Sequence, residues 1–459
     1  MQEEGGGVRL VVVGGVAAGT KAAARARRVN PRLEITVYQE EPEPSISECG
    51  LPYLLSGTVS GRRRLVARTP EEFARDGIRV LVRHRVEEVR PEEGRLLVRD
   101  LAAGSAFEDR YDRLVLATGA RAVPLGVPGS GLEGVFSLRF LTDADRILDH
   151  ICRHRPRRAL VVGGGYVGLE VAENLRLLGM EVVLAQRPRR VATAYDPEIS
   201  RRIEEHLRER GVELRTGAEV EELRGDGRVR EARISGEAVE AGLVVAGVGI
   251  EPEVDLARRA GARIGTTGAV WTDRHQRTSL PEVWAAGDCA QTRNRITGGP
   301  AWVPLGDTAN QTGRVAGTNA ALGEDAEEFP GVLGTGIFKV FDLAAGKTGL
   351  SEAEAAGAGL EAVAATIESR SRAGYYPGAG RVLLKLVAER GSGRLLGAQA
   401  LGPGADKLTD VCATALWGGL SCSDLINVDL AYAPPYGPVL SPVIQAATVL
   451  QRRLSQPPK

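Results

Sequence analysis

The 459-residue sequence predicts an α/β protein with two Rossmann-like dinucleotide-binding units and a C-terminal α+β region. Three observations lead there. An apolar strand runs into a glycine-rich turn and then a helix at two separate places. Two further buried strands end, one in a glycine turn and one in an acidic residue, and the last third of the chain alternates strand-like and helical runs.

The first of these places is Leu10-Val11-Val12-Val13, which enters Gly14-Gly15-Val16-Ala17-Ala18-Gly19. An alanine- and arginine-rich helical stretch follows to about Val29, then a strand from Glu34 to Tyr38. The second repeats the pattern: a strand from Ala159 to Val162, the turn Gly163-Gly164-Gly165-Tyr166-Val167-Gly168, a helix to Gly179 and a strand from Glu181 to Ala185. Glycines let the backbone turn tightly and approach a pyrophosphate, whose charge meets free N–H groups at the helix start. Gly14, Gly15, Ala18 and Gly19 are therefore candidate ligands in one unit, and Gly163, Gly165 and Gly168 in the other. The second turn is a full G-x-G-x-x-G, whereas the first carries Val16 at the middle glycine position. Leu114 to Ala120 reads as a buried strand ending at Thr118-Gly119, and Val283 to Asp288 as another ending in an acid that can accept hydrogen bonds from ribityl hydroxyls. Two βαβ units imply two dinucleotides.

Length suggests two or three domains. With 59 basic and 59 acidic residues the net charge is zero, so no global field favours nucleic acid or an anionic membrane. The start, MQEEGGG, lacks the basic and apolar regions of a secretory signal, and no apolar stretch reaches transmembrane length. Five scattered cysteines, an odd number, argue against a disulfide framework and for a reducing, cytoplasmic compartment. Neither a zinc-ligand cluster nor a C-terminal rhodanese-like extension is expected.

Three segments then carry a resemblance: Ser47-Glu48-Cys49-Gly50-Leu51-Pro52-Tyr53, Val303-Pro304-Leu305-Gly306 with Ala309-Asn310, and Tyr432-Ala433-Pro434-Pro435-Tyr436. With the glycine turns, they resemble the single-cysteine branch of the FAD-dependent pyridine nucleotide-disulfide oxidoreductases. That branch includes coenzyme A-disulfide reductases, NADH oxidases and peroxidases, and NAD(P)H persulfide reductases. The resemblance implies an FAD-binding domain at 1–122 and 251–328, an NAD(P)H-binding domain at 123–250, and a dimerisation domain at 329–459. It also implies a homodimer whose tyrosines enter the partner's active site.

Cys49 lies just before a helix start, where the positive end of the dipole favours thiolate, and the next cysteine is Cys152. One sulfur therefore has to carry the redox cycle, as a mixed disulfide, persulfide or sulfenate. The histidines stand at 84, 150, 154, 206 and 275, none in the C-terminal third, so the histidine acid of two-cysteine reductases is missing. Ala17 occupies the position of the histidine in the peroxidase and water-forming oxidase members. By resemblance the acid falls to Tyr375, Tyr432 or Tyr436, Asn310 to the flavin site, Tyr166 to the ring covering the nicotinamide site, and Glu170 to the acid beside the flavin.

A carboxylate normally ends the second strand of such a unit and accepts the ribose hydroxyls. Gln39 followed by Glu40 stands there in the first unit, and Gln186 followed by Arg187 in the second. Removing the acid and adding guanidinium groups predicts NADPH over NADH, a solvated basic loop being the alternative. On the substrate side Arg28 and Ser45 match residues that hold coenzyme A in the family, but Glu48 replaces an asparagine and Leu440 a lysine, losses that Lys21 and Arg25 could offset. Expected is an NAD(P)H-dependent reductase of coenzyme A disulfide or a related low-molecular-weight disulfide or persulfide. NADH oxidase activity and a flavin-bound redox sensor with little turnover are the alternatives.

Overall fold

The computed structural model describes residues 7–456, and most of the MQEEGGG start lies outside them. The chain divides into two compact units: 1–123, 138–146 and 249–332 form one, and 124–137, 147–248 and 333–459 the other.

The first unit is built on a five-stranded parallel sheet in the order Val283–Ala285, Arg113–Leu116, Arg9–Val13, Glu34–Gln39, Ile78–Val82. Its central strand is a continuous apolar run because both faces are covered. Leu10 and Val12 face a cluster with Ala22, Ala26 and Ala316. Val11 and Val13 face Val86, Val98 and Leu96 on the other side. The latter come from an antiparallel sheet of His84–Arg90, Arg95–Asp100 and Ala106–Arg110, which the sequence reading did not anticipate. Helix Ala17–Val29 packs on helix Gly306–Leu322 through small residues. A Cβ at Gly313 would come within 2.4 Å of the Ala18 carbonyl oxygen, so only glycine permits this approach.

The second unit repeats the plan, with parallel strands in the order Val212–Thr216, Glu181–Gln186, Arg158–Val162, Leu243–Ala246, Val135–Ser137. A separate antiparallel sheet runs Gly336–Val340, Leu343–Gly349, Leu395–Leu401, Arg381–Glu389, Ala362–Arg370, backed by helices Ala405–Trp417 and Pro442–Leu454. This is the α+β region read from the sequence. Lys385, 2 % exposed, is held there by Asp196 at 2.9 Å, Glu198 at 2.7 Å and Glu352. No described helix is long and apolar enough to cross a membrane.

Candidate active site

The glycine turn of the first unit opens into a cavity of about 470 Å³, within the range of small-molecule sites. Gly14 turns at φ +102°, and a Cβ on Gly19 would sit 1.8 Å from the Gly14 carbonyl oxygen, so helix and strand close on a backbone that only glycine allows. The helix starting at Ala17 has no side-chain cap and no acid in its first turn, leaving its N–H groups for an anion. Gly14, Ala18, Gln39, Glu40, Thr118, Gly119 and Asp288 line the cavity. This arrangement fits a flavin dinucleotide: an uncapped helix end for the pyrophosphate and a half-buried acid, Asp288, for the ribityl chain. Asn310, by contrast, is exposed and donates to the Gly306 carbonyl 2.8 Å away.

Gln39 does something the sequence reading missed. Its Oε1 accepts the Gly15 N–H at 2.6 Å, and in the second unit Gln186 Oε1 accepts the Gly164 N–H at 2.8 Å. Each glutamine is a strut holding its own glycine turn, so what looked like a missing ribose carboxylate is a structural exchange. Glu40 is ion-paired with Arg85, while Arg187 is exposed. Gly163 and Gly168 repeat the backbone geometry of the first turn, and the helix from Tyr166 is likewise uncapped with no acid in its first turn, which fits a nicotinamide dinucleotide. Tyr166 packs on Phe338, ring centroids 5.0 Å apart, and on Tyr195 at 6.3 Å; burial pushes its phenol pKa up. Glu170 lies one turn further along the same helix and is half-buried.

The cysteine segment is tied to the glycine turn by its backbone. Ser45, at φ +54°, donates its N–H to the Gly15 carbonyl at 2.7 Å, and Ser47 donates to Leu65 at 2.8 Å. Cys49 is exposed on the short 3₁₀ turn Glu48–Gly50, which leads into helix Leu51–Leu55. That helix has only five residues, so its dipole favours thiolate less than a full helix would. None of the five cysteines is joined in a disulfide. Cys289, Cys412 and Cys422 are buried and their pKa values are raised by burial, that of Cys422 to about 11, whereas Cys152 is exposed.

Glu48 lines the cavity and is bridged through Arg139, 3.2 Å away, to Asp288 at 3.0 Å. Burial raises the Glu48 carboxyl to about 7, against the pull of Arg139. Arg139 escaped the sequence reading because no motif marks it. Its backbone N–H and that of Phe140 both donate to Asp143 Oδ2 at 3.0 Å, which fixes where the guanidinium emerges.

Of the substrate candidates, Arg25 is committed to Thr318 at 2.9 Å and Glu327 at 3.7 Å, which argues against its standing in for a phosphate ligand. Arg28 is exposed, its Nε bonded to the Ala24 carbonyl, and Lys21 is half-buried. Tyr375 and Tyr436 are 78 % and 74 % exposed. Tyr432 stands beside Tyr375, so residues 57 positions apart in sequence meet; desolvation and then the neighbouring Tyr375 hydroxyl raise the Tyr432 pKa.

These features define a two-dinucleotide oxidoreductase. The chain belongs to the pyridine nucleotide-disulphide oxidoreductase family, whose model matches residues 8–312, with the family's dimerisation domain matching 336–442. It uses FAD with NAD(P)H. The chain is 37% identical over 445 residues to an NAD(P)H coenzyme A polysulfide/persulfide reductase of Pyrococcus horikoshii, covering 96% of this chain and 98% of that one. To a coenzyme A disulfide reductase of Staphylococcus epidermidis it is 30% identical over 430 residues, 93% and 96% of the two chains. Among solved structures it resembles an NAD-dependent persulfide reductase from A. fulgidus, with TM-score 0.93 and 40% identity over 97% of this chain and 83% of that one. Reduced Bacillus anthracis CoADR-RHD gives TM-score 0.95 and 34% identity, over 98% and 81%.

Proposed function

We propose that the protein reduces coenzyme A disulfide, or a related low-molecular-weight disulfide or persulfide, with NADPH or NADH, through the single sulfur of Cys49. The observation that carries this is the position of Cys49: its backbone segment is tied to the glycine turn, and its neighbour Glu48 lines the same cavity as the turn's residues.

Bound FAD supplies the passage of two electrons from the nicotinamide to sulfur. The chain's own part is thiol chemistry. Cys49 thiolate attacks one sulfur of the substrate, a new S–S bond forms as the old one breaks, and the departing thiolate takes a proton from Tyr432 or Tyr375 of a second copy. Two electrons and a further proton then release the second thiol and restore Cys49. Gly14, Gly15, Ala18 and Gly19 hold the flavin pyrophosphate, Glu40, Thr118, Gly119 and Asp288 its remaining polar groups. Gly163, Gly165, Gly168 and Arg187 hold the nicotinamide dinucleotide on a turn braced by Gln186, with Tyr166 and Glu170 near its reactive end. Lys21, Arg28, Ser45 and Glu48 face the substrate.

A homodimer completes the site. Tyr436, Val439 and Leu440 are 74 %, 72 % and 58 % exposed on one short stretch, an apolar run that a second copy would cover. The domain division that goes with this reading is 1–122 with 251–328 for FAD, 123–250 for NAD(P)H and 329–459 for dimerisation.

NADH oxidase activity is the second reading, since the chain is 31% identical over 452 residues to an NADH oxidase of Methanocaldococcus jannaschii. The two readings separate on Cys49→Ser: disulfide turnover is expected to fall at least about a thousandfold while reduction of the flavin by NADPH persists. Undiminished disulfide turnover in that variant sinks the proposal. Intact-mass measurement before and after reductant shows whether coenzyme A or sulfur rides on the thiol.

A further inference from the structure

Helix Leu141–His154 carries His150 and His154 one turn apart, so both rings lie on one face, their centroids 4.7 Å apart. Glu133, just ahead of the strand Val135–Ser137, reaches the same spot. Its Oε1 is 2.8 Å from His154 Nε2 and 4.0 Å from His150 Nδ1, and the three donor atoms lie within 4.8 Å of one another. Ligands bound at about 2.0–2.1 Å around a tetrahedral zinc stand roughly 3.3 Å apart, a spacing these distances bracket. No spacing motif joins Glu133 to the two histidines, which is why no zinc-ligand cluster was expected from the sequence.

His150 is the decisive member. Its side chain is 2 % exposed, and Nε2 lies 2.9 Å from the Gly242 carbonyl. A carbonyl only accepts, so Nε2 carries the proton and Nδ1 presents a lone pair. That Nδ1 is buried and makes no hydrogen bond. An imidazole oriented by a backbone carbonyl on one nitrogen, with a bare lone pair on the other, is the usual state of a metal-ligating histidine. The ring cannot swing aside on the Gly134 side, where even a Cβ would come within 2.8 Å of His150 Cε1.

We propose that Glu133, His150 Nδ1 and His154 Nε2 form a binding site for a borderline divalent transition cation such as Zn²⁺, with the remaining coordination position open to water. The nitrogen and carboxylate donors suit this class rather than Mg²⁺ or Ca²⁺, which prefer all-oxygen shells. The polar cluster alone explains why Glu133 touches His154. It leaves the buried Nδ1 of His150 without a purpose.

Arg228 sets the terms of binding. Its guanidinium contacts His154 Nδ1 and can only donate, so without metal the His154 proton sits on Nε2 and points at Glu133. A cation at Nε2 moves that proton to Nδ1 and obliges Arg228 to withdraw. No net proton is released, but a positive competitor must leave. Arg228 is thus a built-in antagonist, and removing it strengthens the site.

The test uses the full-length, FAD-loaded protein, stripped with EDTA and titrated with Co²⁺ and then Zn²⁺ by calorimetry and visible absorption. Because Cys49 and Cys152 are exposed thiols that bind the same ions, both are changed to serine in the background. Expected are one ion per chain and a Co²⁺ spectrum of nitrogen and oxygen ligands. Affinity should fall at least tenfold in His154→Gln and Glu133→Gln and rise severalfold in Arg228→Gln. His150→Gln should also lose binding, but the exposed Glu133 and the partly buried His154 decide the matter if that buried change unfolds the protein. Binding that is absent, or unchanged in His154→Gln, or no tighter in Arg228→Gln, overturns the proposal.

Discussion

Arg139 holds the Glu48 carboxylate at 3.2 Å, so the residue preceding Cys49 is wired to the floor of the flavin cavity through Asp288. The bond does not fully offset burial, which keeps the carboxyl near 7. A carboxyl whose native pKa stands above its usual 4.5 adds stability below that value and loses it as the pH rises through 7. Glu48→Gln should therefore be close to neutral at pH 5 and stabilising by on the order of 1–2 kcal/mol at pH 8. Thermal melts across this range check the sign. Removing the negative neighbour also favours the Cys49 thiolate, so the acid limb of kcat/KM for disulfide should move to lower pH.

The pairing of Tyr432 with Tyr375 predicts a shared role. Tyr432→Phe should lower disulfide turnover about ten- to a hundredfold and leave reduction of the flavin by NADPH unchanged. Because the two hydroxyls influence each other, the double variant should cost less than the product of the two single effects. Rapid-mixing measurement of the two half-reactions separates the acid's step from hydride transfer.

Arg187 is exposed directly after the Gln186 strut, where a 2′-phosphate would arrive. Arg187→Ala should reduce kcat/KM for NADPH about tenfold and that for NADH little. A parallel fall for both cofactors would mean that the loop is merely solvated.

Lys385 is almost fully buried among Asp196, Glu198 and Glu352. Lys385→Met leaves three carboxylates without their cation and should destabilise the protein by about 3 kcal/mol, measured by chemical denaturation. Removing the buried Asp196 as well, in Lys385→Met/Asp196→Leu, should recover part of the loss.

The strands that feed the glycine turns were legible because both faces of each sheet are covered, which writes Leu10 to Val13 and Ala159 to Val162 as unbroken apolar runs. Helix Gly306–Leu322 was not, since glycine, threonine and alanine chosen for close approach leave no amphipathic stripe. The three-stranded sheet hid behind charged residues such as Arg95, Arg99 and Glu108, which pair across strands in water. At the site, residues within a motif could be read off, whereas Arg139 and His84, which line the cavity, could not: their partners are brought to them only by the fold. Arg25 read as a free cation because nothing in the sequence reveals Thr318 and Glu327 beside it.

With Gln39 and Gln186 occupied in bracing their own loops, neither nucleotide pocket spends a buried charge on sugar recognition. On the proposed reading, discrimination between one cofactor and another would then fall one residue further on, to the solvent-facing Glu40 and Arg187. One coenzyme would then be exchangeable for another at that rim without unsettling the scaffold underneath.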